Sequence, residues 1–109
     1  MLAFELSQEF IRHQLQDSLY SEFLTTQNLS VGIYELPSGD YDPQQPHTED
    51  EVYLVLKGKG KIRVSEEVRD VAPGSVVYVS AGLDHKFFDI IQTLTILVIF
   101  SPARGTQIK

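Results

Sequence analysis

The sequence predicts an all-β domain preceded by one short helix. A chain of 109 residues with 42% hydrophobic and 22% charged residues has the size and balance of a single compact domain. Short segments rich in β-branched and aromatic residues recur along most of its length, and turn-forming residues separate them. No helical pattern lies between these segments, so an antiparallel sandwich or barrel is favoured over a sheet of alternating strands and helices.

The helix is predicted at about residues 7–19. Its apolar residues recur at spacings near four with polar residues between them, as on the apolar face of an amphipathic helix: Phe10, Ile11, Leu15 and Leu19. The same pattern places His13 on the polar side, where we expect it to be exposed.

About seven strands are predicted to follow, at residues 22–26, 30–36, 51–56, 61–64, 75–79, 86–91 and 94–100. Glycine and proline turns divide them, because these residues supply a positive φ or fix φ near its turn value. The barrel should then occupy about residues 20–101 of a single domain, 1–109. The polar tail, 102–109, is expected to be loose, since Ile108 is its one large apolar residue.

Charge and composition exclude several function classes. The net charge of -6 gives no basic surface for nucleic acid or for anionic lipid. No apolar run approaches the roughly 18 residues that span a bilayer, so we expect a cytoplasmic protein with no membrane partner. Because the chain has no cysteine, any metal must be bound by histidine, carboxylate or amide ligands.

Two of the three histidines, His47 and His85, lie in turn regions beside predicted strands. Alternate residues of an extended chain project to one side, so Gln45, His47 and Glu51 could converge, and Glu49 is the substitute if Glu51 turns away. Two imidazoles and one carboxylate form the ligand set of facial-triad sites. Such sites suit Fe(II) and, with less selectivity, Mn(II), Co(II), Ni(II) or Zn(II).

The spacing of these residues resembles the two signature motifs of the cupin superfamily. The first family motif is Gly, five residues, His, one residue, His, three or four residues, Glu, six residues, Gly. The matching residues here are Gly39, Gln45, His47, Glu51 and Gly58. The second family motif is Gly, five residues, Pro, one residue, Gly, two residues, His, three residues, Asn. Its counterparts are Gly74, Ser80, Gly82, His85 and Asp89, again with every spacing matched.

This resemblance implies a jelly-roll β-barrel, commonly dimeric, that binds one divalent metal inside the barrel. Carried across residue by residue, it makes His47, Glu51 and His85 candidate metal ligands.

Three residues depart from the motifs. Gln45 replaces the first histidine and offers a weaker, harder ligand, whereas Ser80 for proline and Asp89 for asparagine remove no ligand. Whether Gln45 binds metal, holds a metal-bound water or contacts a substrate is left open by the sequence.

The pocket wall is predicted from strand parity. Tyr53 shares a face with Glu51, and Phe87 shares one with His85, while Tyr78 and Asp89 are further candidates. Three readings of the function follow. The first is an enzyme of a small molecule that depends on a divalent transition metal (Fe, Mn, Ni or Zn) and has oxygenase, isomerase or lyase chemistry, for example a dioxygenase. The second is a non-catalytic barrel that binds or senses a small molecule with weak or no metal. The third is structural, with dimerisation as the main task of the barrel. A homodimer is expected in each case.

Overall fold

A computed structural model of the chain describes residues 1–105; Ile108 and the rest of the predicted tail from 106 lie outside the described residues. One helix and six strands follow in order: α1 (Leu6–Gln14), β1 (Tyr20–Thr25), β2 (Ser30–Leu36), β3 (Asp50–Val64), β4 (Glu67–Val71), β5 (Val76–Val79) and β6 (His85–Ser101). The predicted all-β class with a short N-terminal helix is confirmed. Within the described range, no helix is long and apolar enough to cross a membrane.

All strand pairs are antiparallel, in the order β1-β2-β6-β3-β4, with β5 also paired to β3. The long strands β3 and β6 pair along most of their length, and their register shifts three times between Val55 and Lys61. Such bulges bend a strand and increase its twist. The two long strands can therefore curve around the jelly roll, whose interior holds one apolar core.

The long strands explain the difference from the predicted strand count. Segments 51–56 and 61–64 form one strand, β3, and segments 86–91 and 94–100 form one strand, β6. In β3 the separating glycines, Gly58 and Gly60, and the register shifts beside them do not end the strand. β4 was not predicted, because four of its five residues are exposed and three of the five are charged.

The helix is shorter than predicted and buries a different face. It ends at Gln14, and Ile11 and Leu15 are exposed. His13 is instead 3% exposed, with its Nδ1 atom 2.5 Å from Oγ of Ser21 on β1. Burial lowers the pKa of His13, and the nearby carboxylate of Glu35 opposes that shift. The expectation of an exposed His13 is wrong, because α1 buries Glu9 and His13 against the sheet, while Phe10 is the half-buried residue of its apolar stripe.

The first residues after β6 are fixed to the barrel rather than loose. Ala103 is 1% exposed, and the backbone N–H of Arg104 donates a 2.9 Å hydrogen bond to Oγ of the buried Ser30. Burial of one small side chain and one backbone hydrogen bond anchors this segment to β2. The predicted loose tail therefore does not begin at residue 102.

Candidate metal centre

Three side chains with metal-binding atoms converge at one end of the barrel. One nitrogen each from His47 and His85 and one oxygen from Glu51 lie within 4.8 Å of one another. Nδ1 of His47 is 3.0 Å, and Nε2 of His85 is 3.2 Å, from the same oxygen, Oε2 of Glu51. His85 and Glu51 are fully buried, and His47 is half-buried. The structure thus brings together the three residues named from the motif spacing.

The local structure explains how residues so distant in sequence meet. Glu51 lies near the start of β3, beside Val79 of β5, and a short turn leads from β5 to His85. The N–H of Gly82 in this turn donates a 2.7 Å hydrogen bond to the carbonyl of His47, which ties the two loops together. Gly82 has φ +81°, a conformation that costs glycine little and other residues more.

The tautomer of His85 is determined by its neighbour. Its Nδ1 atom lies 2.9 Å from the carbonyl oxygen of Leu83, which can only accept, so Nδ1 carries the proton. Its Nε2 atom is buried and makes no hydrogen bond to any described residue. Without a proton on Nε2, the ring presents a nitrogen lone pair to Oε2 of Glu51. A cation between these two atoms would stabilise that arrangement, so the donor set fits a metal ion.

Glu51 is held from its other side by a tyrosine. The Tyr53 hydroxyl donates a 2.6 Å hydrogen bond to Oε1 of Glu51, which leaves Oε2 for the histidines. Burial and the adjacent Glu51 carboxylate raise the pKa of Tyr53 well above its ordinary value, so the hydroxyl stays a donor. The predicted place of Tyr53 beside Glu51 agrees with this contact, and Phe87 packs edge-on against the Tyr53 ring.

The loop before His47 is organised by a buried carboxylate, Asp42, that no sequence motif indicated. Asp42 is 1% exposed and accepts hydrogen bonds from the Tyr34 hydroxyl at 2.6 Å and from the Phe87 N–H at 3.0 Å. It also accepts from the backbone and side chain of Gln44. The Gln44 amide oxygen in turn lies 3.1 Å from the Tyr53 hydroxyl. Asp42 thus fixes the loop on the barrel wall.

The other sequence candidates lie further from the triad. Gln45 is exposed and lines a cavity beside His47, and it is Gln44 that reaches inward. The structure does not bring Tyr78 or Asp89 to the site. Tyr78 is 60% exposed on the outer face of β5, and Asp89 lies exposed in β6 with φ +47°. Tyr78 lies on the separate strand β5, and the backbone of β6 is irregular at Asp89.

Glu49, the substitute ligand, does not join the triad either. It is 2% exposed, and its carboxylate accepts a hydrogen bond from the hydroxyl of Thr48. The cluster of potential ligand atoms within the described range contains Glu51 instead. The acidic member of the triad is therefore Glu51 and not Glu49.

A cavity of about 390 Å³ gives access to His47 from solvent. Its walls are apolar and aromatic, with two amides and one cation: Leu19, Tyr20, Tyr34, Pro43, Gln44, Gln45, Pro46, His47, Val98, Phe100 and Arg104. The His47 ring packs edge-on against Phe100, with their centroids 5.1 Å apart. A volume of this size suits a small organic ligand.

The sequence and the fold both resemble known proteins. An uncharacterized protein of Streptomyces coelicolor is 47% identical over 102 residues, which cover 94% of this chain and 97% of that protein. The structure of TT1209 from Thermus thermophilus superposes with a TM-score of 0.75 at 22% identity, covering 94% of this chain and 99% of the other. An RmlC-like cupin from Shewanella frigidimarina superposes with a TM-score of 0.71 at 19% identity, covering 79% and 77%.

The two structural matches concern the fold, since their identities are low. The model of the cupin domain family matches residues 32–100, a segment that runs from β2 to the end of β6 and contains all three candidate ligands. With that match and with the jelly-roll architecture described above, this chain belongs to the cupin family.

Proposed function

We propose that this cupin holds one divalent transition metal through His47, Glu51 and His85 and acts on a small molecule in the adjoining cavity. The observation that carries the proposal is the buried Nε2 atom of His85, which has no hydrogen-bond partner among residues 1–105 and lies 3.2 Å from Oε2 of Glu51. Two imidazoles and one carboxylate suit Fe(II), Mn(II), Ni(II) or Zn(II) and leave positions open for a substrate. Bound there, the metal would supply Lewis-acid or oxygen-activating chemistry.

The surrounding residues orient the ligands and limit water. The Leu83 carbonyl keeps the proton of His85 on Nδ1, and the Tyr53 hydroxyl holds Oε1 of Glu51. Contacts of this kind hold ligands in their binding orientation, and their loss typically weakens metal binding 10–100-fold. Phe100 covers one face of the site through its contact with His47. A role for Gln45 as a fourth ligand stays a prediction, which Gln45→Ala would test.

Metal content measured by mass spectrometry tests the proposal. Wild-type protein, purified without chelator and then loaded separately with each of the four metals, should retain near one equivalent of at least one of them. His47→Ala, His85→Ala and Glu51→Gln should lose it. His13→Ala is the matched control, since His13 packs against β1 outside the triad, and it should retain the metal. A wild-type protein that retains none of the four metals contradicts the proposal.

A second function, a barrel that binds or senses a small molecule without turnover, is favoured by one specific observation. Gln45 replaces the first motif histidine, and its side chain is exposed. A site with fewer strong ligands should bind metal less tightly. A screen for oxygen uptake and for conversion of small organic acids, done with metal-loaded protein, distinguishes the two. Turnover that disappears in His85→Ala would support the enzyme.

The expected homodimer and the cytoplasmic location stay predictions from the sequence. Sedimentation of the purified chain over a range of concentrations measures its oligomeric state. A species of 24 to 25 kDa, twice the 12.3 kDa of one chain, would agree with a dimer.

A further inference from the structure

The cavity beside His47 contains one cationic side chain, Arg104, among walls that are otherwise neutral apart from the histidine. The backbone at Arg104 is fixed by its hydrogen bond to Ser30 and by the buried neighbour Ala103. The guanidinium carbon lies 5.0 Å from the centroid of the Tyr20 ring and 5.9 Å from that of Phe100. These aromatic rings hold the guanidinium in place without neutralising its charge.

The charge of Arg104 has no acidic partner in the described part of the chain. Of the other arginines, Arg12 pairs with a glutamate, Arg63 pairs with an aspartate, and Arg69 donates to a backbone carbonyl. Arg104 makes none of the ion pairs found among residues 1–105. Arg104 is exposed, so its planar guanidinium fork is accessible to a ligand and matches a carboxylate.

We propose that the ligand of this cavity is a small organic carboxylate with a flat, apolar body. Arg104 binds the carboxylate, and the Tyr20, Tyr34 and Phe100 side chains contact the body. A single guanidinium balances a monoanion, so a carboxylate fits better than a phosphate dianion. The inference rests on the proposed function, because it assigns the substrate class of the cavity that opens onto His47.

The effect of Arg104 can be measured apart from the metal. Titrations of the chelator-treated, ¹⁵N-labelled protein with benzoate, with the neutral isostere benzamide and with inorganic phosphate are followed by NMR chemical shifts. Benzoate should bind more tightly than both, with shifts at Arg104 and His47. Arg104→Met keeps an unbranched side chain and should weaken benzoate binding about tenfold or more, as loss of a charged hydrogen bond does. Arg104→Lys should give an intermediate loss.

Arg69→Met is the matched control, because Arg69 is exposed on β4 and does not line the cavity. It should leave benzoate binding unchanged. Benzoate that binds no better than benzamide, or that binds equally well to Arg104→Met, overturns the inference, as does tighter binding of phosphate. Because these titrations contain no metal, they separate the two proposals. A protein that binds no metal but shows the Arg104-dependent preference would refute the metal site alone.

Discussion

The two halves of β3, before and after its bulges, differ in the kind of side chain that they point into the barrel. In the first half, Glu51, Tyr53 and Val55 point into the barrel, and two of the three are polar. In the second half the inward residues are Gly60 and Ile62, and the flanking Lys59 and Lys61 point outward. Inward residues are odd-numbered before the bulges and even-numbered after them. One strand thereby builds both a polar site and a purely apolar core, and the change of parity separates them.

Gly58 lies where this parity changes. It has φ +93°, and a Cβ atom added there would collide with the backbone carbonyl of Thr93 on β6. Glycine is required for two reasons, the positive φ and the close approach of two backbones. The parity change coincides with the three register shifts between Val55 and Lys61, and Gly58 lies among them.

The largest expected effect is that of Gly58→Ala. Backbone strain and a collision with main-chain atoms should each cost about 1–3 kcal/mol, so the free energy of unfolding should fall by about 4 kcal/mol. Urea denaturation measures this. Gly39→Ala is the control, because Gly39 has a similar φ of +81° but open space around it, and it should lose about 1 kcal/mol. Equal losses in the two variants would show that the close approach of β3 and β6 contributes nothing.

Removal of the Tyr53 hydroxyl, in the first half of β3, should have the next largest effect. Tyr53→Phe leaves Oε1 of the buried Glu51 without its 2.6 Å donor, and we expect a loss of about 2 kcal/mol in unfolding free energy. Metal affinity should also fall by about tenfold or more, because Glu51 is less firmly held. Tyr78→Phe, on the exposed face of β5, is the control and should change neither quantity. Unchanged metal affinity in Tyr53→Phe would mean that the tyrosine does not position the ligand.

The same tyrosine predicts a dependence of stability on high pH. Its pKa is raised in the folded protein by burial and by Glu51, so above about pH 10 the unfolded state loses a proton that the folded state keeps. Each such tyrosine should lower the free energy of unfolding by about 1.4 kcal/mol per pH unit above pH 10. Tyr53→Phe should reduce the slope by that amount, while Tyr20 and Tyr34, whose pKa values are raised mainly by burial, keep the rest. If the free energy of unfolding falls equally steeply with pH in the wild type and in Tyr53→Phe, the assignment to Tyr53 is contradicted.

The smallest effect on stability is expected for a substitution on the outer face of the second half of β3. Lys59 is exposed, and Lys59→Ala should change the free energy of unfolding by less than about 0.5 kcal/mol. Its comparison is Ile62→Ala in the same half, where removal of a buried side chain should cost about 2–5 kcal/mol. A large loss in Lys59→Ala would show that its side chain does not simply face solvent.

Several features could be predicted from the sequence because they depend on local chemistry. Turn-forming residues divide the chain, β-branched residues indicate strands, and the spacing from His47 to Glu51 and to His85 matches a known family pattern. The inward position of Tyr53 followed from Glu51, since no bulge lies between them. Strand alternation correctly predicted the direction of a side chain within a segment that contains no bulge.

Other features depended on contacts between distant segments. The burial of His13 follows from packing of α1 against β1, and the inward turn of Gln44 follows from hydrogen bonds to Asp42 and Tyr53. The loop between Pro43 and Pro46 has no periodicity that could have distinguished Gln44 from Gln45. Arg104 carried no motif signal either, since its place beside the cavity depends on a hydrogen bond to Ser30 on β2.

The sequence by itself determined the all-β class, the ligand types available for a metal and the residues most suited to bind it. Residue type and short-range spacing suffice for these features, because each is a property of one segment. The tertiary structure decided where the strand parity changes, which amide faces inward and which cation meets the cavity. These features are set by backbone approach and hydrogen bonding between strands that are far apart along the chain.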